Sequence, residues 1–225
     1  MAHDTNTPGT NVTQWINQLC QLTPPILPHT HPALLKLDFK SLHAVTPTLA
    51  TLTTALSPQQ SNPTTPLASV NPLLWLNADI LQGPHGPPSS IDPAQFLSQC
   101  QHWQPAAVLS IGWTTAAPST AATADTAYTA HHIDAMLALC SAHALTSVTF
   151  PVRACYVRRS WESGQLQRLL AACEGYSLTV WSNRRENDAR DETVVVAEYE
   201  WLRARLPADR VFFDLCPVRA EAGHN

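Results

Sequence analysis

Between Met1 and Phe150 the chain contains neither an arginine nor a glutamate. Lys36 and Lys40 are its only two lysines, so the stretch LLKLDFKSL, residues 34–42, carries every lysine or arginine of the first two-thirds. Proteins that track nucleic acid or lie on anionic lipid need many basic groups along one surface. With 13 basic against 17 acidic residues and a formal net charge of −4, neither attraction is implied. All eleven arginines lie from Arg153 onward, interspersed with acids, which reads as a solvated helical surface. No apolar run reaches about 18 residues, which excludes a transmembrane helix. The first residues have no basic segment followed by an apolar one, so no signal peptide is visible. The six cysteines form no C-x-x-C pair and have no metal-ligand neighbours at finger spacing; they read as scattered core thiols.

What is present argues for a packed core. Of 225 residues 44% are apolar and 13% charged, and seven are tryptophan, a combination that outweighs the 19 prolines as a sign of order. The length suits one large domain or two small ones. LLKLDFKSL alternates strictly: Leu35, Leu37 and Phe39 share one face of a strand, and Lys36, Asp38 and Lys40 the other. Three charges in a row on one face do not enter an apolar core. That face meets water or lines a polar site.

The rest of the chain repeats the theme. TQWINQLCQL, 13–22, has helical spacing and is ended by prolines 24, 25 and 28. Thr46-Pro47 opens a predicted helix over 48–56, with proline in the first turn. A strand is predicted over 73–81, with Trp75, Asn77 and Asp79 on one face. Asp92 caps a helix through Cys100 that has Pro93 at its first position. Further strands are predicted at 106–115, 147–154, 176–182 and 210–215, and further helices at about 128–143, 160–173 and 192–205. The eight histidines at 29, 31, 43, 85, 102, 131, 132 and 143 show no ligand spacing and read as surface or loop. The Ala/Thr/Pro-rich connector AAPSTAATADTA reads as flexible.

Six strands alternating with helices predict βαβ units and a parallel sheet. In most of these strands one face is apolar and the other mixed or polar. A doubly wound sheet, covered on both sides, reads as nearly continuous Val/Ile/Leu. A barrel has helices on the outside only and tolerates polar side chains on its inner wall. The periodicity therefore favours a β/α barrel, although a complete one has eight strands.

The segments MAHDTNT…TQWINQL, KLDFKSLHAVTPTL, WLNADILQGPHG, LSIGWTT, VTFPVRA, YSLTVWS and VFFDL, in this order, resemble the menorin family. That family is similar to the phospholipase-C-like phosphodiesterase TIM barrels, which include the glycerophosphodiester phosphodiesterases. The resemblance covers the chain as a domain over 1–217 with a short tail at 218–225. It implies an α/β fold, an incomplete barrel of about six of eight β/α units, with this chain supplying strands three to eight. In the family the first strand carries a histidine and the second a Glu-x-Asp pair, and neither precedes Met1 here.

By resemblance, such a barrel holds a divalent cation, magnesium or calcium, on the Glu-x-Asp pair and a carboxylate of the third strand. Two histidines act as acid and base, and a lysine steadies the phosphate. Carried over to this sequence, His3 resembles the second histidine, Asp38 the metal ligand and Lys40 the phosphate-facing lysine. The chemistry is coherent. A hard cation needs several carboxylate oxygens, developing phosphate charge needs a cation, and a histidine passes the leaving-group proton. With one of three carboxylates and one of two histidines, the expectation is a catalytically impaired phosphodiesterase-type site and no divalent cation bound by this chain alone. Lys36, Asn77, Asp79, Arg153 and Trp181 are the candidate substrate contacts. Each has a plainer alternative: Asp38 paired with Lys36 or Lys40, His3 exposed, Asp79 capping a loop, Arg153 paired with Asp79 or Asp214, Trp181 filling core. Expected partners are a phosphodiester small molecule or a cell-surface protein, with no nucleic acid. The resemblance also implies an extracellular setting and a rival function, a secreted non-catalytic scaffold; the two missing strands, which leave unpaired sheet edges, give a further alternative, a truncated product without function.

Overall fold

The computed structural model describes residues 34–56, 73–103, 107–116, 127–182, 194–215 and 217–218. Six strands form one parallel sheet: β1 (Leu34–Asp38), β2 (Leu73–Gln82), β3 (Ala107–Thr114), β4 (Val148–Arg153), β5 (Tyr176–Trp181) and β7 (Val211–Asp214), in the spatial order β1-β2-β3-β4-β5-β7. Two short strands, β6 (Val194–Val195) and β8 (Pro217–Val218), pair separately and in parallel. The helices are α1 (Leu42–Leu56), α2 (Pro93–Cys100), α3 (Ala130–Ala142), α4 (Ala154–Glu162), α5 (Gln165–Ala171) and α6 (Val196–Arg205).

The strand order decides the architecture. Each strand of the main sheet lies beside the one before it, with no reversal. Parallel crossovers are right-handed, so every connection steps the same way and lays its helix on the same side. A doubly wound sheet reverses its order and acquires helices on both faces. Here one face receives the helices, and the sheet curls around the other into a half-barrel.

Side-chain alternation matches this division. Leu37, Leu76, Leu109, Phe150, Leu178 and Val211 face the helices and join a core with Leu52, Phe96, Ile133, Met136, Leu166 and Leu202. Phe39 meets Phe96 edge to face, with ring centroids 6.0 Å apart, which pins the chain after β1 onto α2. The concave face carries Asp38, Asn77, Ser110, Thr149 and Thr179. Ser110 and Thr149 are fully buried, as they would not be on a flat open face. The hydroxyls of Thr149 and Thr179 satisfy each other at 2.8 Å. Curling has turned this face into an interior, and its polar groups pair across it.

Several elements differ from the expectation. The helix predicted over 48–56 begins at Leu42 and contains Pro47. Ser41 starts it: its hydroxyl oxygen accepts the His43 N–H at 3.3 Å and its carbonyl accepts the Ala44 N–H at 3.2 Å. Proline leaves the His43 carbonyl without its usual helical donor, but both residues are exposed, so water can serve it. The helix predicted over 160–173 is two helices, broken at Ser163–Gly164. Gly164 sits at φ 79°, a left-handed conformation that a β-carbon disfavours. The last long helix starts at Val196, because Val194 and Val195 pair with the chain after β7. The α2 start is as expected, with Asp92 Oδ1 accepting the Gln95 N–H at 2.8 Å. The predicted helix over 13–22 lies outside the described residues.

Candidate functional site

The carboxyl end of β1 and the second half of β2 bring four of the expected residues together. Asp38 closes β1 and pairs in register with Asn77 of β2. Lys40 follows two residues later. Its ammonium lies 2.9 Å from Asp38 Oδ2 and 3.9 Å from Asp79 Oδ2. Asn77 Nδ2 donates to Asp38 Oδ1 at 2.7 Å, and Ser110 Oγ of β3 donates to Asn77 Oδ1 at 2.6 Å. The direction of this chain is forced: an ionised carboxylate only accepts, so the Asn77 amide nitrogen faces Asp38 and its oxygen faces the serine hydroxyl. The polarity runs from buried Ser110 outward through Asn77 to Asp38, with Lys40 closing the outer end.

Asp79 stands across from Asp38 and shares Lys40. Burial pushes its carboxyl above the usual carboxylate range; Lys40 pulls it back, Asp38 pushes it up, and Lys36 again lowers it. Its side chain retains 36% exposure, so it opens to solvent at the rim. Gly112 makes its room: a β-carbon there would stand 3.0 Å from Asp79 Oδ1 and 3.2 Å from Pro151 Cγ. Lys36 is half-buried, in register with Trp75, one step deeper on the concave face.

Arg153 and Trp181 stand together further round the rim. They pair in register at the ends of β4 and β5, and the guanidinium lies 5.1 Å from the indole centroid. Arg153 is buried; it donates to the Thr115 carbonyl at 3.1 Å, while its backbone N–H donates to Tyr128 Oη at 3.1 Å. Tyr156 Oη donates to the neighbouring Ala116 carbonyl at 2.5 Å. Arg153 therefore fastens the chain leaving β3. Trp113, at the end of β3, points away from the concave face and packs against Tyr128 and Phe150 behind the sheet. His3 lies outside the described residues.

Sequence reasoning overlooked Ser110, although the alternation of LSIGWTT puts it on the same face as Asn77. It also missed the approach of Asp79 to Lys40, which depends on how adjacent strands are staggered. His132 is more than a surface histidine: its Nδ1 accepts the Thr129 N–H at 3.0 Å at the start of α3, and burial lowers its pKa.

A divalent cation of the magnesium or calcium type takes six or more oxygen ligands. Asp38 and Asp79 converge on one point, but an ammonium stands there, and the second Asp38 oxygen is engaged by Asn77. Among the described residues no group of three or more His, Cys, Asp or Glu side chains gathers as a cation site. Among the described residues, the arrangement around Asp38 fits an internal ammonium and offers a divalent ion too few oxygens.

Fold and rim together define a class: an α/β half-barrel of six sequential parallel strands whose carboxyl ends carry a lysine–carboxylate cluster. The sequence comparisons identify the lineage. The family model described as the Menorin N-terminal domain matches residues 1–218, and the chain belongs to the menorin family. It is similar to human "Protein FAM151B", with 30% identity over 216 residues that span 96% of this chain and 67% of that protein. No solved structure matches it. Among the described residues no helix is long and apolar enough to cross a membrane.

Proposed function

We propose that this menorin-family half-barrel binds a phosphodiester anion at the carboxyl rim of its sheet, on a phosphodiesterase-type site whose hydrolytic activity is impaired. The observation that carries the reading is the seating of Lys40, just beyond the carboxyl end of β1, against Asp38 and against Asp79 in the second half of β2. Ligands of parallel β/α folds bind outside the carboxyl ends of the strands. Lys36, Lys40 and Arg153 lie on the concave face with the carboxylates of Asp38, Asp79 and Asp214, so the formal charges balance, and the exposed ammonium of Lys40 is the local positive charge that meets a phosphodiester monoanion. Lys40 is the anion contact; Asn77 and Ser110 hold Asp38, which holds Lys40. Trp181 offers a flat apolar wall beside Arg153. His3 is the proton-transfer group that the family resemblance suggests.

The same cluster supports the impairment. Hydrolysis needs strong positive charge on the non-bridging oxygens and a group to protonate the leaving alkoxide. Each Asp38 oxygen already accepts an internal donor, and a single ammonium supplies less charge than a divalent ion. Titration of the protein with glycerophosphocholine, followed by NMR, tests the binding. Saturable shifts at Asp38, Asn77 and Lys40 are expected, and Lys40→Ala should weaken binding about tenfold or more, as for loss of a charge-assisted contact. Absence of binding overturns the site. Hydrolysis of bis(p-nitrophenyl) phosphate at enzymatic rates overturns the impairment.

The rival reading, a non-catalytic interaction module, calls for an exposed apolar patch. Phe212 is the one exposed large hydrophobic residue among those described, so that reading has the weaker support.

A further inference from the structure

We propose that Lys40 is the resident cation of this rim: its ammonium occupies the position between Asp38 and Asp79 that a divalent ion holds in a metal-dependent site, and the two carboxylates are kept together without a metal. The proposal concerns the same rim as the phosphodiester reading, but its test uses cations alone, so the two fail separately.

The geometry is that of a cation site built from adjacent strands. Two carboxylates on neighbouring parallel strands repel unless a positive charge lies between them. Asp38 is aimed by its partners: Asn77 holds Oδ1 at 2.7 Å, and Ser110 holds Asn77 at 2.6 Å, which leaves Oδ2 directed at Lys40. Asp79 is admitted by the missing side chain at Gly112. Lys40 enters from the chain just beyond Asp38, so the backbone itself delivers the charge to its counter-ions. The contact to Asp38 at 2.9 Å is a charge-assisted hydrogen bond, and that to Asp79 at 3.9 Å is looser.

A divalent ion in this place needs six or more oxygens at 2.0–2.6 Å, and it must first expel the ammonium. A lysine needs only hydrogen-bond acceptors: Asp38 supplies one at 2.9 Å, and the exposed ammonium leaves its other N–H groups to water. Burial raises the pKa of Asp79, and the neighbouring Lys40 offsets this only in part. The arrangement consists of an Asp-x-Lys segment facing a second aspartate.

The experiment is thermal unfolding of the full chain with magnesium or calcium chloride up to ~5 mM, above the ~1 mM constants of the weakest calcium modules, against sodium chloride at matched ionic strength. The wild type should show no saturable shift. Lys40→Met should gain a saturable calcium-dependent rise in Tm that Asp38→Asn, added to it, abolishes; Lys40→Arg should behave as wild type. Saturable binding of either ion to the wild type overturns the proposal. So does a folded Lys40→Met protein that responds to neither ion, because the carboxylates then define no cation position. Circular dichroism checks folding. If Lys40→Met does not fold, Lys40→Gln replaces it, and the wild-type titration decides without either variant.

Discussion

Phe212 and Trp75 meet edge to face with ring centroids 5.2 Å apart, although three strands of the sheet lie between them. Phe212 is on β7 and Trp75 on β2. Such a contact requires the concave face to close on itself. The stagger of a barrel is visible in the same pair. Register carries Phe212 through Thr179 to Pro151, and Pro151 lies against Gly112, the partner of Asp79. The ring nevertheless meets Trp75, further back along β2. Strands tilted to a barrel axis produce this offset.

A double-mutant cycle on this pair measures the closure. Phe212→Ala and Trp75→Ala should couple by about 0.5–1.5 kcal/mol, the usual worth of an aromatic pair beyond its buried area. Urea unfolding of the four proteins gives the coupling, and a value of zero would mean that the rings do not hold the curl. The Trp75 indole N–H is buried without a hydrogen-bond partner. Part of the cost of Trp75→Ala is therefore offset by removing an unsatisfied donor.

Asn77→Ala should destabilise the fold by about 1–3 kcal/mol, because it leaves the buried Ser110 hydroxyl without its acceptor and Asp38 without its buried donor. Adding Ser110→Ala should recover part of the loss, since the orphaned hydroxyl disappears with it. Denaturant melts of the single and double variants check this. Equal stability of the two would place the cost at Asp38 alone.

Asp79 gives a pH signature with a definite sign. Its folded pKa is raised, so its contribution to stability is full below the ordinary carboxyl value of about 3.9 and is lost as pH rises through the raised value. Asp79→Asn removes this penalty. The Tm of the variant minus that of the wild type should therefore be more positive at about pH 7 than at about pH 3.5. The opposite trend would mean that the lysines outweigh burial at this carboxyl.

Two glycines separate steric from conformational need. At Gly86 a β-carbon would fall 2.0 Å from the Thr114 carbonyl oxygen, so Gly86→Ala should distort the loop after β2 or prevent folding. At Gly164 nothing lies within 4 Å, and only the φ of 79° opposes a side chain. Gly164→Ala should cost about 1–2 kcal/mol. Thermal melts rank the two, and a larger loss at Gly164 would contradict the steric account.

Much of the fold was legible because strand alternation is a local property. KLDFK, WLNADIL, SIGWT and VTFPVR each declare their two faces in sequence, and the structure puts those faces where the pattern requires. The α2 cap at Asp92 was legible for the same reason, since its donor is three residues away. The start of α1 was not. Pro47 reads as a first-turn residue by preference, but Ser41 and the exposure of His43 allow a helix to begin earlier.

The sequence by itself determined the kinds of elements, the polar face, and a set of candidate residues on that face: Lys36, Asp38, Lys40, Asn77, Asp79, Arg153 and Trp181. It also offered a Lys40–Asp38 pair as one reading, since those residues are two apart on one face. Tertiary structure decided which of them meet. Lys40 is shared with Asp79, Arg153 lies against Trp181 and the Thr115 carbonyl, and Ser110 anchors Asn77. A period of two assigns a side chain to a face. Its neighbour across the sheet depends on register, tilt and curl, and these are fixed only when the helices pack along one side and the sheet bends around the other.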